Sequence, residues 1–280
     1  MDDGNAAGVG KAVPQISEYR YRQKERGNKV MDKGSYVVMN GKYRIPPDMV
    51  GRVWRVARSP FAVNGVPAVV LEGHGGCYPV DGLREVPENF TRIIISGSRC
   101  ANDYSVLLRT MVSVASNIGK ESMEIISGDC YGADGLGNLF AERNGRWLTK
   151  MPAAWDLGNG SVNRAAGPMR NAQMAKYASL APRKMLVCLW DRSSRGTYNM
   201  IQNGFKYGLD TYVVDCVTGA SILQYTKEDG GHAYLYDKTI QVDGKQFDET
   251  ILSTGAWLSI VGKDNVLENM SPFKDEGQGT

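Results

Sequence analysis

The chain has 280 residues, 42% of them hydrophobic, and a formal net charge of +3; it can bury one sizeable core with a smaller module or two beside it, and the charge alone does not imply a nucleic-acid binder, which works through clustered Lys and Arg. No apolar run approaches the roughly 18 residues a membrane span needs, and the opening MDDGNAAGVG lacks the charged-then-apolar order of a signal peptide, so a cytoplasmic protein without membrane contact is expected. Two histidines, His74 and His232, exclude a multi-histidine metal centre, and five scattered cysteines without a CxxC pair suggest neither a disulfide framework nor a zinc knuckle and read as reduced, mostly core thiols.

Residues 1–32 are expected to form a basic flexible arm or capping helix: Lys11 to Lys29 carry six Lys/Arg against two Glu, with two tyrosines interleaved. Residues 33–88 bring short alternating bursts, "SYVVMN", "GRVWRVA", "PAVVLEG" and "CYPVDGLREV", separated by turn residues. Such spacing predicts a small antiparallel β-barrel of SH3-like type, usually an interaction module.

Residues 89–217 change character. Apolar runs at 92–96, 123–127, 146–150, 184–190 and 211–216 alternate with segments of helical period, the first placing Val106, Leu107, Met111, Val114 and Ile118 near one face. Regular alternation of this kind predicts an α/β fold, a Rossmann-like doubly wound parallel sheet with helices on both faces. Residues 218–280 return to strand-like text, "ASILQYT", "HAYLYDKTIQVDG" and "AWLSIVG", and end in the tail "SPFKDEGQGT". This β-rich appendage could complete a barrel, cover a sheet edge or build an oligomer interface.

Ligands of open parallel sheets bind at the carboxyl ends of strands, where loops lead into helices. There the chain places "SGSR" with Gly97, Ser98 and Arg99, then "SGDCYGAD" with Gly128, Asp129, Gly132 and Asp134. "AAWDLGNGSVNRAAGPMRN" follows with Trp155, Gly167, Pro168, Arg170 and Asn171, and "DRSSRGT" with Arg192, Ser193, Ser194, Arg195, Gly196 and Thr197. Glycines permit close backbone approach, guanidinium groups clamp phosphates in two-pronged fashion, and helix N-termini favour anions. Each feature also has an ordinary structural role, as turn glycine, helix cap, core tryptophan or surface arginine. Their convergence on one sheet edge is what makes them a candidate site.

In order and spacing these segments resemble the YspA-type branch of the SLOG superfamily, over about residues 90–217. Relatives in that superfamily include DprA and the lonely-guy hydrolases. The resemblance implies a Rossmann-like domain that binds nucleotides or nucleotide-derived molecules and in some branches cleaves the N-glycosidic bond of a nucleoside monophosphate. It places Gly196 and Thr197 on the phosphate-binding turn "GGxGT" and Arg170 on the arginine of the hydrolases' substrate motif. Two departures stand out: "SSRGT" replaces the paired glycines, and Met200 stands where "GTxxE" supplies a glutamate. A methionine cannot stabilise a developing ribosyl cation or activate water. Asp129, Asp134, Asp156 or Asp191 could substitute, and Asp134, at a helix start beside the second turn, is best placed, either for catalysis or for ribose hydroxyls.

The expected function is therefore binding of a phosphate-containing, nucleotide-derived small molecule, ADP-ribose or NAD-derived or a cyclic nucleotide, by a sensor or sequestering protein. Arg192 and Arg195 fit a ligand with more than one phosphate. The resemblance suggests conflict between bacteria and phages as the setting, with anti-defence as the role and the host cytoplasm as the location if a phage encodes the protein. The alternatives are an N-glycosidase of phosphoribohydrolase type, with Asp134 catalytic, and a single-strand nucleic-acid binder using arm and barrel. No cofactor or metal is expected; a homo-oligomer is, as is a protein partner at the N-terminal barrel.

Overall fold

The computed structural model describes residues 31–46, 49–156, 161–226, 232–236, 241–242, 245–246 and 251–253. The chain divides into two compact units, Met1–Glu88 and Asn89–Thr280. Apart from Met31 and Asp32, the basic arm expected over 1–32 lies outside the described residues.

In the first unit the β-branched bursts become β1 (Tyr36–Met39), β2 (Trp54–Val63), β3 (Val66–Leu71), β4 (Tyr78–Pro79) and β5 (Leu83–Val86). They form an antiparallel sheet in the order β4-β3-β2-β1-β5, with a 3-10 turn, Val80–Gly82, between the last two in sequence. Asn64 and Gly65 join β2 to β3 at φ of 49° and 77°, a two-residue turn whose twist matches that of its strands. Strand β2 continues past Ala57, where the apolar burst stops, because its register against β3 shifts between Arg58 and Phe61. Pro60 falls inside that bulge, the place in a ladder where a missing N–H costs least. Val37, Trp54, Val56, Val69 and Leu71 share one buried cluster.

The second unit alternates strand and helix: β6 (Thr91–Gly97), α1 (Tyr104–Ala115), β7 (Met123–Ser127), α2 (Ala133–Arg143), β8 (Trp147–Lys150), α3 (Ala166–Ala178), β9 (Arg183–Trp190), α4 (Arg195–Lys206) and β10 (Asp210–Asp215). The strands run parallel in the order β8-β7-β6-β9-β10. Strand β6 is buried along nearly its whole length, as a strand covered on both faces must be. Its alternation sorts the layers: Ile93 and Ile95 pack with Val106, Leu107 and Met111 of α1 and Phe140 of α2, whereas Ile94 packs with Met174 of α3 and Met200 and Phe205 of α4. This is a Rossmann-like doubly wound arrangement, and β6 and β9 flank the point where the strand order reverses.

Local chemistry sets the helix starts. Asp103 caps α1 by accepting the Ser105 N–H at 2.8 Å. Helix α3 starts at Ala166, just after a turn in which the Asn163 side chain takes the Ala165 N–H at 3.1 Å. Helix α2 lies close on β6 because Gly137 lacks a side chain; a Cβ there would sit 2.9 Å from the Ile95 Cβ. Gly137→Ala is accordingly expected to destabilise the protein by about 1 kcal/mol net, overpacking exceeding the gain in helix propensity, read as a lower urea midpoint.

The β-rich segment from 218 onward continues this sheet. Strand β11 (Ser221–Thr226) pairs antiparallel with β10, β12 (His232–Leu235) with β11, and β15 (Ile251–Ser253) with β12, giving eight strands. Of the roles open to it, covering the β10 edge is the one seen, with Tyr225 packed edge-on against Phe205 at 4.9 Å. Strands β13 (Gln241–Val242) and β14 (Lys245–Gln246) pair with each other. The strand expected at 256–262 and the tail lie outside the described residues. The cysteines depart from expectation: all five are free, but only Cys188 and Cys216 are buried, while Cys77 and Cys100 are exposed and Cys130 is intermediate. No helix among the described residues is long and apolar enough to cross a membrane.

Candidate functional site

At the carboxyl ends of β6, β7 and β9 a cavity of about 530 Å³ opens, within the usual range for small-molecule sites. Its lining includes Gly97, Arg99, Asp134, Trp155, Gly167, Arg170, Asn171, Ser194, Gly196 and Thr197. All four candidate loops therefore contribute.

Close backbone packing builds the floor. The Ser98 N–H donates to the Leu189 carbonyl at 2.8 Å, and a Cβ on Gly97 would lie 2.1 Å from that same oxygen. Ser98 itself is fully buried and acts as a staple. Its hydroxyl accepts the Asp191 N–H at 3.0 Å and lies 3.4 Å from the Thr197 hydroxyl, while its carbonyl accepts the Ala133 N–H at 3.3 Å. Gly132, at φ 78°, lies so near that a Cβ would come within 2.4 Å of the Ser98 carbonyl oxygen. Only glycine satisfies both that φ and that contact.

One wall is a buried ion pair. Arg170 donates from Nη1 to Asp134 Oδ2 at 3.2 Å and from Nε to Asn171 Oδ1 at 3.1 Å. Asn171 in turn donates to the Gly196 carbonyl and to Asn199 Oδ1, each at 3.1 Å, tying α3 to the first turn of α4. Asp134 is only 3% exposed. Burial pushes its carboxyl above the usual range, and Arg170, the Ser96 hydroxyl and the Cys130 backbone offset that only in part.

The adjoining wall is the start of α4. Ser194 caps it, accepting the Thr197 N–H at 3.4 Å, and Asp191 Oδ1 accepts the N–H groups of Ser193 and Ser194 at 3.0 and 2.7 Å. Burial alone would raise the Asp191 carboxyl, but these amides and the hydroxyls of Ser98 and Ser193 outweigh it and hold it below the usual range. Arg99 lines the rim, exposed and without an ion-pair partner among the described residues.

Residues 91–158 match the family described as YspA, cpYpsA-related SLOG (YAcAr). The chain carries a YspA-type SLOG segment. Neither a curated protein nor a solved structure matches the chain. The SLOG match supports a nucleotide-related ligand-binding or glycosidase-like function and names no substrate. Its span includes Arg99, Asp134 and Trp155, and the "AGPMRN" and "GT" segments lie beyond it.

Other candidates sit elsewhere around the cleft. Gly128 is absent from the lining but supports it, since a Cβ there would lie 1.3 Å from Arg170 Nη1. Asp129, at φ 55°, turns to Asn138 at 2.7 Å and Lys150 at 3.1 Å. Arg192, at φ 65°, pairs with Asp215 at 3.1 Å. Ser193 and Arg195 are exposed, and none of these last four lines the cavity. Met200 is wholly buried in the core beneath α4. The lining adds Tyr131, Cys100 and Cys130, which no motif signalled. Among the described residues no group of three or more His, Cys, Asp or Glu could hold a metal ion.

Proposed function

We propose that the cleft binds a phosphate-bearing, nucleotide-derived small molecule and that the protein senses or sequesters it. The observation that carries this reading is Arg99, an unpaired guanidinium on the same cavity as the first turn of α4. Ser194 takes the Thr197 N–H, yet the positive end of the helix dipole still attracts an anion, and a guanidinium without an ion pair on the same cavity supplies the second arm of a phosphate clamp.

Binding is favoured over turnover because both lining carboxylates are engaged, Asp134 by Arg170 and Asp191 by two amides. Met200, buried in the core, leaves no acid at the hydrolases' position. Isothermal titration of the full chain against ADP-ribose, cyclic ADP-ribose, cyclic dinucleotides, NAD and AMP tests this. At least one should bind, and Arg99→Ala should weaken it about tenfold or more, the loss of one charge-assisted contact; no heat and no thermal shift with any of them overturns the reading.

One observation favours N-glycosidase activity as a second reading. Asp134 is a buried carboxyl with a raised pKa lining a cleft, the kind of group that serves as a general acid. Chromatographic release of free base from AMP, NAD or ADP-ribose, lost in Asp134→Asn, would establish it.

In the first unit, the strand order β4-β3-β2-β1-β5 and the 3-10 turn before the last strand support reading it as a small SH3-like barrel. A protein partner would dock there.

A further inference from the structure

Resting on the phosphate-binding reading, we propose that Tyr131 and Trp155 form a stacking subsite for the nucleobase, one that accepts any base and favours purines by ring area. Tyr131 lies in the β7–α2 turn and is 87% exposed. Its ring has no aromatic, cationic or hydrogen-bonding partner among the described residues. It cannot be explained as core, and its turn is held by Gly132 against the Ser98 and Arg99 backbone. Trp155 is 40% exposed and lies over the start of α3, where a Cβ on Gly167 would come within 3.2 Å of its Cη2.

A single exposed aromatic is ordinary on a protein surface. Two on one cavity with an unpaired guanidinium are a different matter. The cavity then offers flat π-faces, a buried carboxylate–guanidinium pair and an anion clamp, which correspond to base, ribose and phosphate. Stacking recognises the face that every base shares.

Reading one base against another needs hydrogen-bonding groups aimed at its edge, and the cleft's amide side chain is already committed. Asn171 Nδ2 donates to Gly196 and Asn199, and its Oδ1 accepts from Arg170. The subsite therefore separates nucleotides from sugar phosphates and only weakly separates bases.

Titration of the full chain with AMP, CMP and ribose 5-phosphate tests this, following tryptophan fluorescence alongside heat, for the wild type and for Tyr131→Ala, Trp155→Ala and Trp155→Phe. AMP should bind about tenfold or more tighter than ribose 5-phosphate, the worth of one base–aromatic stack, with CMP between them. Each alanine variant should bring AMP towards the ribose 5-phosphate constant while that constant stays within about twofold, and Trp155→Phe should keep most of the preference. A thermal midpoint unchanged from wild type shows that the variants fold. Equal affinity for AMP and ribose 5-phosphate in the wild type, or alanine variants that weaken both alike, overturns the subsite and leaves the phosphate reading standing. If neither ligand binds, the phosphate reading fails and the subsite falls with it.

Discussion

Glu124→Ala is expected to destabilise the second unit by about 3–5 kcal/mol, a large share of the roughly 5–15 kcal/mol that holds a domain folded. Glu124 and Arg92 are side by side near the starts of β7 and β6, with side chains 2% and 1% exposed, and pair at 2.9 Å. The pair is hydrogen-bonded further: Arg92 Nη1 donates to the Tyr177 carbonyl at 2.9 Å, and Glu124 Oε1 accepts from the Thr149 and Tyr177 hydroxyls at 2.5 and 2.9 Å. The guanidinium also lies 3.9 Å from the centre of the Tyr177 ring. The network ties β6, β7, β8 and α3 together. Removing the carboxylate strands a buried guanidinium, and that desolvated charge dominates the loss. Urea unfolding should show the midpoint falling sharply with the slope unchanged; a shift within 1 kcal/mol would show that the Arg92 site is wetter than its burial indicates.

Acid should remove the same stabilisation. Burial alone would raise the Glu124 carboxyl, yet Arg92, Thr149 and Tyr177 outweigh it and hold it below the ordinary value of 4.5. The unfolded chain therefore binds the proton more readily than the folded one. Stability from this pair is complete above that ordinary value and is lost as the pH falls through the folded pKa. Asp134 acts in the opposite sense: its raised pKa makes the folded state the better proton acceptor, so its contribution weakens as the pH rises from 3.8 through the folded value. Glu124→Gln should abolish the first slope and leave the second, so the wild-type advantage should shrink as the pH is lowered below about 4.5.

The middle sheet was legible because its central strands β6, β7 and β9 are buried on both faces and read as largely apolar runs between helices that stop at glycine or a short turn. What escaped depends on geometry that a sequence pattern does not carry. Strand β2 runs on through Pro60 because a bulge accommodates it. Asp129 and Asp134 occupy one turn and are the same residue type, yet a backbone φ of 55° sends Asp129 to Lys150 and Asn138, while helical geometry sends Asp134 to Arg170. Arg192 is diverted likewise, to Asp215. The cleft thus has fewer cations than its loops suggested, with Arg99 and Arg170 the two arginines of its lining. Tyr131 was invisible for a further reason: an aromatic in a turn reads the same whether it packs or stands free, and only its exposure separates the two.

Gly128→Ala is expected to cost both the cleft and the fold. A Cβ at this position would lie 1.3 Å from Arg170 Nη1, 2.2 Å from its Cζ and 2.5 Å from Asp134 Oδ2. No small adjustment clears those contacts, so the guanidinium must leave. Asp134 is then a buried carboxylate without its partner, and Asn171, which orients the first turn of α4, loses the Arg170 Nε–H. The stability loss should be about 3–5 kcal/mol, and affinity for whichever nucleotide the wild type binds should fall about 100-fold, roughly 2.8 kcal/mol. Adding Asp134→Asn discriminates between lost charge pairing and simple crowding. If the stranded carboxylate is the main cost, the double variant should regain at least 1 kcal/mol over Gly128→Ala alone, a coupling typical of groups that act as a unit. If it regains nothing, the clash acts through the β7 backbone and the ion pair is incidental to it.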